Sequence, residues 1–398
     1  MKKMSLLASF MGSILPSSKY YGAAFVPQCS LSSFRSSVRN LSIQAHDENG
    51  ISRLETLQEL LSLTGAPGSK HCNAPNDLHP VRIHEEPSSP QEELLQLHPH
   101  LVPIAKSKST GYYICALRRA FADDAMYASS SNQPWPIVES TLNAPGYSLL
   151  ALNSEHLMRR IACQQDFEGS QVAVNIYNSN LGQGILKDTS LDTPYAPGSV
   201  HTLGYGLSKY CLLRVGPFPD LYQEMSMTHL TKGDESSSLI AAEAANGKFT
   251  GFASTFRFYA EMLNQFPNRE DETKDAARVC LRMPLSSIGS DMDDYKTVSI
   301  LAGLANANDT TEDAMIRMKE MYDKIKAHEK EEESVPGGQT SLTEEQQAIQ
   351  DVNDMLDQMV FQSDRDWSSI RKDIGDVYGR VSGLQDMANF VDPSRSWA

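Results

Sequence analysis

Two glycines and a lysine in the stretch LGYGLSKY, residues 203–210, are the first candidates for chemistry. Gly204, Gly206 and Lys209 lie close together in the sequence, as in a phosphate-binding loop, where glycines let backbone amides approach an anion. Their spacing matches neither G-x-x-x-x-G-K-[ST] nor G-x-G-x-x-G. The pattern therefore favours a turn before a strand that starts at Tyr210, and no cofactor-binding residue is assigned.

Three aspartates in the stretch SDMDD could hold a hard cation. They are Asp291, Asp293 and Asp294. A twelve-residue calcium loop would also need a central glycine and a closing glutamate, and neither is in place. Because acidic side chains in the first turn of a helix are stabilised by the helix dipole, we predict that these residues begin a helix over 295–305 and hold no metal.

Histidines and cysteines suggest two further kinds of site. A nucleophile and its base would need Cys211 beside His201 or His229, and nothing in the sequence brings these residues together. A metal could be held by the histidines and the thiol between residues 71 and 100, but their spacing matches no compact motif, so loop composition is the preferred interpretation. Those residues are His71, Cys72, His79, His84, His98 and His100. No catalytic or metal-ligating residue is assigned.

The six cysteines bear on compartment and folding. Successive cysteines are at least 43 residues apart and form no C-x-x-C pair, so neither a zinc site of the usual spacing nor a disulfide framework is visible. Five of them are predicted to be buried, reduced thiols, while Cys29 belongs to the leader. The five are Cys72, Cys115, Cys163, Cys211 and Cys280.

Methionines form stripes on two predicted helices, 309–328 and 341–361, each opened by a capping box at Thr310 or Ser341. Methionine packs well against irregular cores and irregular partners alike. Core packing is the preferred interpretation, because most amphipathic helices face their own domain, and a partner-binding face is the alternative. The candidate residues for that face are Met315, Met318, Met321, Met355 and Met359.

The elements that would position these residues fall into two kinds. Four segments rich in β-branched and aromatic residues are predicted strands, at 111–117, 147–152, 171–177 and 209–215. Between the second and third, a cap at Asn153 or Ser154 opens one predicted helix. These elements indicate a small mixed α/β domain over 106–216, preceded over 46–105 by a short amphipathic helix at 52–64 and a linker rich in proline and histidine.

From Pro219 onward the apolar period becomes helical. Residues 217–328 are a predicted helical domain, 329–341 an acidic flexible linker and 342–398 a set of C-terminal helices. No copy of FYAEMLNQFP recurs thirty-odd residues later, which argues against a true tetratricopeptide array. The predicted fold class is therefore α+β, with a bundle or a degenerate helical repeat at the C-terminal end.

The first 45 residues read as a targeting signal. Lys2 and Lys3 precede a short apolar run, and small residues follow up to Ala24, which is the order of a secretory signal peptide. The next twenty residues are rich in serine and arginine and free of acids, which is typical of a transit peptide.

This tandem arrangement, with Phe25 directly after Ala24, resembles the bipartite presequence of nuclear-encoded proteins in algae with red-lineage complex plastids, such as diatoms. The resemblance covers residues 1–45 only, and it implies cleavage between Ala24 and Phe25 and import into the plastid. The alternative is a single transit peptide for a mitochondrion or a primary chloroplast. No later segment is long and apolar enough for a membrane span, so the stroma is the expected location.

The mature part is strongly acidic. The chain of 398 residues has a formal charge of -15, and residues 1–45 hold five basic side chains and no acidic one. Such a body repels phosphate backbones, which argues against nucleic acid as a partner. We therefore expect a stromal, non-enzymatic protein that acts through contacts with other plastid proteins as an assembly, scaffold or regulatory factor. The alternatives are a plastid enzyme with a pocket near residues 175–215, and a peripheral role at a thylakoid surface.

Overall fold

The computed structural model describes residues 53–81, 92–119, 135–182, 194–333 and 342–397. Within them, a five-stranded antiparallel sheet is followed by helices that extend to the C-terminus. The fold class is α+β, as the sequence predicted. The targeting segment and its expected cleavage position between Ala24 and Phe25 lie outside the described residues, as do Ser52, His84 and Ser341.

The sheet is a meander in which each strand pairs with the next one along the chain. Its strands are β1 Leu78–Pro80, β2 Leu101–Ser107, β3 Tyr113–Leu117, β4 Ile137–Ser140 and β5 Ser148–Ala151. The central strand β3 is buried on both faces. Ile114 and Ala116 pack towards helix α1 (Arg53–Thr64), while Tyr113 and Cys115 pack on the opposite side with Phe249. The sheet is therefore an internal layer.

The proline- and histidine-rich segment belongs to this layer, although the sequence suggested a linker there. It supplies β1, the start of β2 and a short 3-10 helix at Glu92–Gln96. The preceding helix α1 is not isolated, because Leu60 and Leu61 are fully buried and the Gln58 amide donates to the carbonyl oxygens of Val81 and Ile104.

Two predicted strands are wrong. Residues 171–177 begin helix α3, and residues 209–215 lie mostly in helix α5. In α3 the buried apolar side chains are Ala173, Val174 and Tyr177, a helical spacing that strand-like composition concealed. A short apolar run does not by itself distinguish a buried strand from a buried helix, and here packing against the sheet domain's core decides in favour of the helix.

The helices continue from the sheet domain to the C-terminus. After α1 they are α2 Ser154–Phe167, α3 Val172–Gly182, α4 Ser199–Leu203, α5 Leu207–Arg214, α6 Pro219–Thr231, α7 Glu235–Lys248, α8 Ala253–Leu263, α9 Glu270–Val279, α10 Met292–Leu301, α11 Thr311–Glu333, α12 Glu344–Val360, α13 Trp367–Gly379 and α14 Gln385–Val391. Thr310 caps α11, because its hydroxyl accepts from the Asp313 backbone amide at 3.1 Å and donates to the Asp313 carboxylate at 2.7 Å; the full capping box is at α12, between Thr343 and Gln346. Among the described helices, none has both the length and the apolar character needed to cross a membrane.

Side chains of the C-terminal helical region donate hydrogen bonds to the turn between β4 and β5. The Trp367 indole donates to the Ala144 carbonyl oxygen at 2.9 Å, and the Arg365 guanidinium donates to the Asn143 carbonyl oxygen at 2.9 Å. A side-chain carbon added at Gly146 would lie 1.9 Å from the carbonyl oxygen of Ser286, so glycine is required for this close approach. We call this contact region, together with the buried pair His98 and His100, the junction.

Candidate partner-binding cleft

A cleft of about 440 Å³ opens between α11, α12 and the first turn of α13. Its lining combines apolar side chains with a few polar groups, which is the composition expected of a binding site. The lining residues are Tyr322, Lys326, Asp354, Met355, Gln358, Met359, Gln362 and Ile370.

Helical spacing places these side chains on facing surfaces. Tyr322 and Lys326 are four residues apart on α11, and Asp354 and Gln358 are four apart on α12, so each pair shares one helix face. Met355 and Ile370 are partly buried against the C-terminal core, and Met359 is only 3% exposed. The wall of the cleft is thus continuous with the core behind it, while its mouth is polar.

Charge at the mouth is organised around one lysine. Lys326 Nζ lies 3.0 Å from Asp354 Oδ1 and 3.7 Å from Glu329 Oε2. Burial acts to lower the pKa of Lys326, but the Asp354 and Glu329 carboxylates outweigh burial and raise it. Lys326 is therefore a permanent cation here, and it is matched by more carboxylates than it can neutralise.

We name Glu329, Asp351 and Asp354 the acidic rim. Asp351 is exposed on α12, close to one turn before Asp354 and Met355. Helix α12 contains five acidic residues and no lysine or arginine, so nothing on that helix offsets the rim.

A buried carboxyl group lies behind the cleft. Asp357 accepts a hydrogen bond from the Leu285 backbone amide at 2.8 Å and another from the Tyr322 hydroxyl at 3.2 Å. Burial raises the pKa of Asp357 to about 7, against the lowering effect of the Leu285 amide, Lys326 and the Tyr322 hydroxyl. Burial and the neighbouring Asp357 carboxyl group also raise the pKa of Tyr322. Asp357 therefore joins α11 and α12 to the segment before α10.

The structure separates the five candidate methionines. Met355 and Met359 line the cleft, with Met355 the more accessible. Met315 and Met318 are buried in the core formed with Tyr295 and Val298, and Met321 is partly buried against it. A partner face made of all five side chains is not assembled in this conformation, and the part that faces the cleft is the α12 pair.

Lys326 and the acidic rim were not recognised from the sequence, although a signal was present. An amphipathic helix with five acidic residues and no basic one, α12, follows a helix with a lysine at each of positions 319, 324, 326 and 330. Because α12 has no basic residue of its own, an ion pair between the two helices has to use a lysine or arginine of α11, which also contains eight acidic residues.

The glycines of LGYGLSKY act as helix boundaries. Gly204 ends α4 with φ of 73°, and Gly206 precedes α5 with φ of 83°, backbone angles that glycine adopts without strain. Lys209 Nζ lies 5.8 Å from the centre of the Tyr205 ring. The predicted turn is present, but it connects two helices and not a helix and a strand.

The aspartates of SDMDD begin a helix, as predicted, since α10 starts at Met292. Two of them, Asp291 and Asp294, also hold the sheet domain to the helical domain, which the sequence did not reveal. Asp291 accepts a hydrogen bond from the Tyr112 hydroxyl at 2.6 Å and lies 3.3 Å from His71 Nε2, and Asp294 lies 3.5 Å from Lys70 Nζ. In the part of the chain that the structure describes, no three metal-ligating side chains are grouped to hold an ion.

The cysteine and histidines considered as a possible nucleophile and base each make other contacts. His201 stacks on Phe167 with ring centres 5.0 Å apart, and His229 lies 3.6 Å from Asp234 Oδ2. Cys211 is fully buried in the sheet domain's core. All five cysteines expected to be buried free thiols are so, since Cys72, Cys115, Cys163, Cys211 and Cys280 are buried and unpaired by disulfides.

These features define the protein as an α+β fold with an open cleft between its C-terminal helices. Comparisons with known proteins add two family matches and one curated relative. Residues 219–305 match the family described as PAB middle domain, and residues 318–394 match the family described as PAB C-terminal domain. Every residue that lines the cleft lies within the second match.

A curated relative from Arabidopsis thaliana, named "Protein IN CHLOROPLAST ATPASE BIOGENESIS, chloroplastic", is 27% identical over 212 residues. The match covers 51% of this chain and 56% of the relative, so the chain spans about half the length of that protein. No solved structure matches the chain.

Proposed function

We propose that this protein is a plastid assembly factor that acts through protein–protein contacts in the biogenesis of the plastid ATPase. The observation that carries the proposal is the likeness to a protein named for chloroplast ATPase biogenesis. The cleft supports it, because an apolar wall with a charged mouth suits a transient protein contact, in which a few buried anchors supply most of the affinity.

Loss of the protein tests this function. In plastids from cells that lack it, we expect the assembled ATPase to decline while ATPase subunit messages stay unchanged, as measured by native gel electrophoresis and immunoblotting. Reintroduction of the full chain should restore the assembled enzyme. Normal ATPase accumulation in the absence of the protein would contradict the proposal.

We further propose that the first 45 residues deliver the protein to the stroma. The tandem signal and transit composition supports this, with cleavage between Ala24 and Phe25. A fusion of residues 1–45 to a fluorescent protein should accumulate in the plastid, and Phe25→Ala should retain it outside. Mitochondrial fluorescence would instead support the single transit peptide.

A further inference from the structure

The cleft has properties that specify the chemistry of its occupant beyond the proposed function. Its volume of about 440 Å³ accepts a few large side chains and not a folded surface. Because Met355 is partly exposed, flexible and polarizable, it adapts to apolar side chains of different shapes. The size and lining therefore suit an apolar anchor that projects from an otherwise solvated segment.

The charge around the cleft favours a positively charged partner. Residues 342–366 contain seven acidic side chains and a single basic one, Arg365. Arg365 is buried and donates to the carbonyl oxygens of Met359 and Val360, so it offers no positive charge to a ligand. Lys326 is the one lysine or arginine in the lining, and it faces Asp354 and Glu329. The three carboxylates of the acidic rim outnumber Lys326, so the charged groups that the structure places at the mouth sum to a negative charge, which attracts cationic segments.

The helices around the cleft give its occupant a direction. Two helices, α11 and α12, flank the cleft and α13 closes one side, so an amphipathic helix would lie along the mouth and place one apolar side chain in the cleft. We infer that the cleft binds a basic amphipathic helix of a client protein, with an apolar side chain packed on Met355 and Ile370 and with lysines or arginines on the acidic rim. This inference rests on the proposed function for its client and names the chemistry that the client presents.

Two synthetic helical peptides of about 18 residues, or five turns, provide the probe. Both have the same leucine and methionine face, and the polar face is lysine and arginine in one and glutamate in the other. With the full chain, fluorescence anisotropy should show binding of the basic peptide that weakens as salt rises, and no comparable binding of the acidic peptide. Equal binding of the two peptides would overturn the inference.

Matched charge reversals separate the cleft from the overall acidity of the protein. Asp351→Lys, on the rim, should weaken binding about tenfold, whereas Asp271→Lys, which makes the same charge change on α9, should alter it by less than about twofold. Asp271 is a suitable control because its side chain is fully exposed. An equal effect of the two variants would mean that bulk charge alone attracts the peptide, and would overturn the inference.

A third variant tests the apolar anchor. Met355→Ala should weaken binding of the basic peptide about tenfold, as loss of a central contact does, and unchanged affinity would contradict the inference.

Failure of this docking site can be distinguished from failure of the proposed function. If the peptide does not use the cleft while loss of the protein still depletes the ATPase, the docking site is wrong and the function stands. If the peptide binds as described and the ATPase is normal without the protein, the function is wrong and the site stands.

Discussion

The junction and the cleft share helix α13 but use it in opposite ways. Trp367 and Arg371 face the sheet domain, where Arg371 donates to the carbonyl oxygens of Leu95 at 3.0 Å and Leu97 at 2.8 Å, while it also donates to the Val391 carbonyl oxygen at the end of α14 at 3.1 Å. Ile370, between them in sequence, faces the cleft. One side of the helix is committed to internal contacts and the other is left partly accessible. A single helix can therefore fix the two domains together and still supply a binding wall.

The two regions also bury titratable groups of opposite kind. The junction holds His98 and His100, whose pKa values are lowered by burial and then by nearby positive charge, that of His100 to about 3. Behind the cleft, Asp357 has a pKa raised to about 7 by burial. Each of these pKa shifts favours the neutral form, so acid should weaken the junction and alkali should weaken the support of the cleft.

The largest expected loss of stability comes from a substitution in the junction. Trp367→Ala removes a fully buried side chain and its hydrogen bond to Ala144, and it should lower the free energy of unfolding by about 4 kcal/mol. Urea denaturation followed by circular dichroism measures this. Trp367→Phe, which keeps most of the packing, is the control and should cost considerably less. A loss below about 1 kcal/mol for the alanine variant would show that the junction does not bind the domains as described.

The second prediction concerns Asp357. Its folded pKa is above the unfolded value of about 4, so it adds stability at low pH that is lost as pH rises towards 7 and beyond. Asp357→Asn, which keeps an acceptor for the Leu285 amide, should remove this dependence, a change on the order of 3 kcal/mol between pH 5 and pH 8. Unfolding titrations at the two pH values measure it. An unchanged pH dependence in the variant would mean that Asp357 is ionised in the folded protein.

The third prediction has the opposite sign. His100 is neutral when folded and protonates when unfolded, so its contribution is full above about pH 6.5 and falls as pH drops towards 3. His100→Gln, which can still accept from the Tyr378 hydroxyl, should flatten the loss of stability between pH 7 and pH 5 by about 2 kcal/mol. The same unfolding titrations show it, and a wild-type slope in the variant would place His100 in contact with solvent.

The smallest stability effect is expected at the cleft itself. Met355→Ala removes a partly buried side chain at an open wall, and should cost less than about 1 kcal/mol, although it weakens peptide binding. Thermal unfolding measures this beside the Trp367 variants. A loss as large as that of Trp367→Ala would make Met355 a core residue, and the contrast between the two regions would disappear.

Sequence reasoning succeeded where a pattern is local. The period of 3.6 residues located the C-terminal helices, and the Thr310 cap marked the start of α11. It failed at α3 and α5, because strand-like composition is overridden by packing against the rest of the sheet domain. It also failed for residues 66–103, whose loop-like composition conceals β1 and the start of β2. Strand β1 is held by pairing with β2, and β2 in turn by pairing with β3.

The same limit applies to the site. The methionine stripes indicated α11 and α12, but only the folded arrangement shows that Met355 and Met359 reach the cleft while Met315 and Met318 do not. The contact of Lys326 with Asp354 joins two helices across a connection of ten residues between Glu333 and Glu344. Which side chains converge is decided by that long-range packing, which no local pattern encodes.

The proposed role in ATPase biogenesis and the proposed docking at the acidic rim can be tested together in cells. The protein is replaced by the Asp351→Lys variant or by the Asp271→Lys variant, at equal protein levels, and assembled plastid ATPase is measured on native gels. We expect a clear loss of assembled enzyme with Asp351→Lys and a normal amount with Asp271→Lys. Equal amounts of assembled ATPase in the two lines would contradict this expectation.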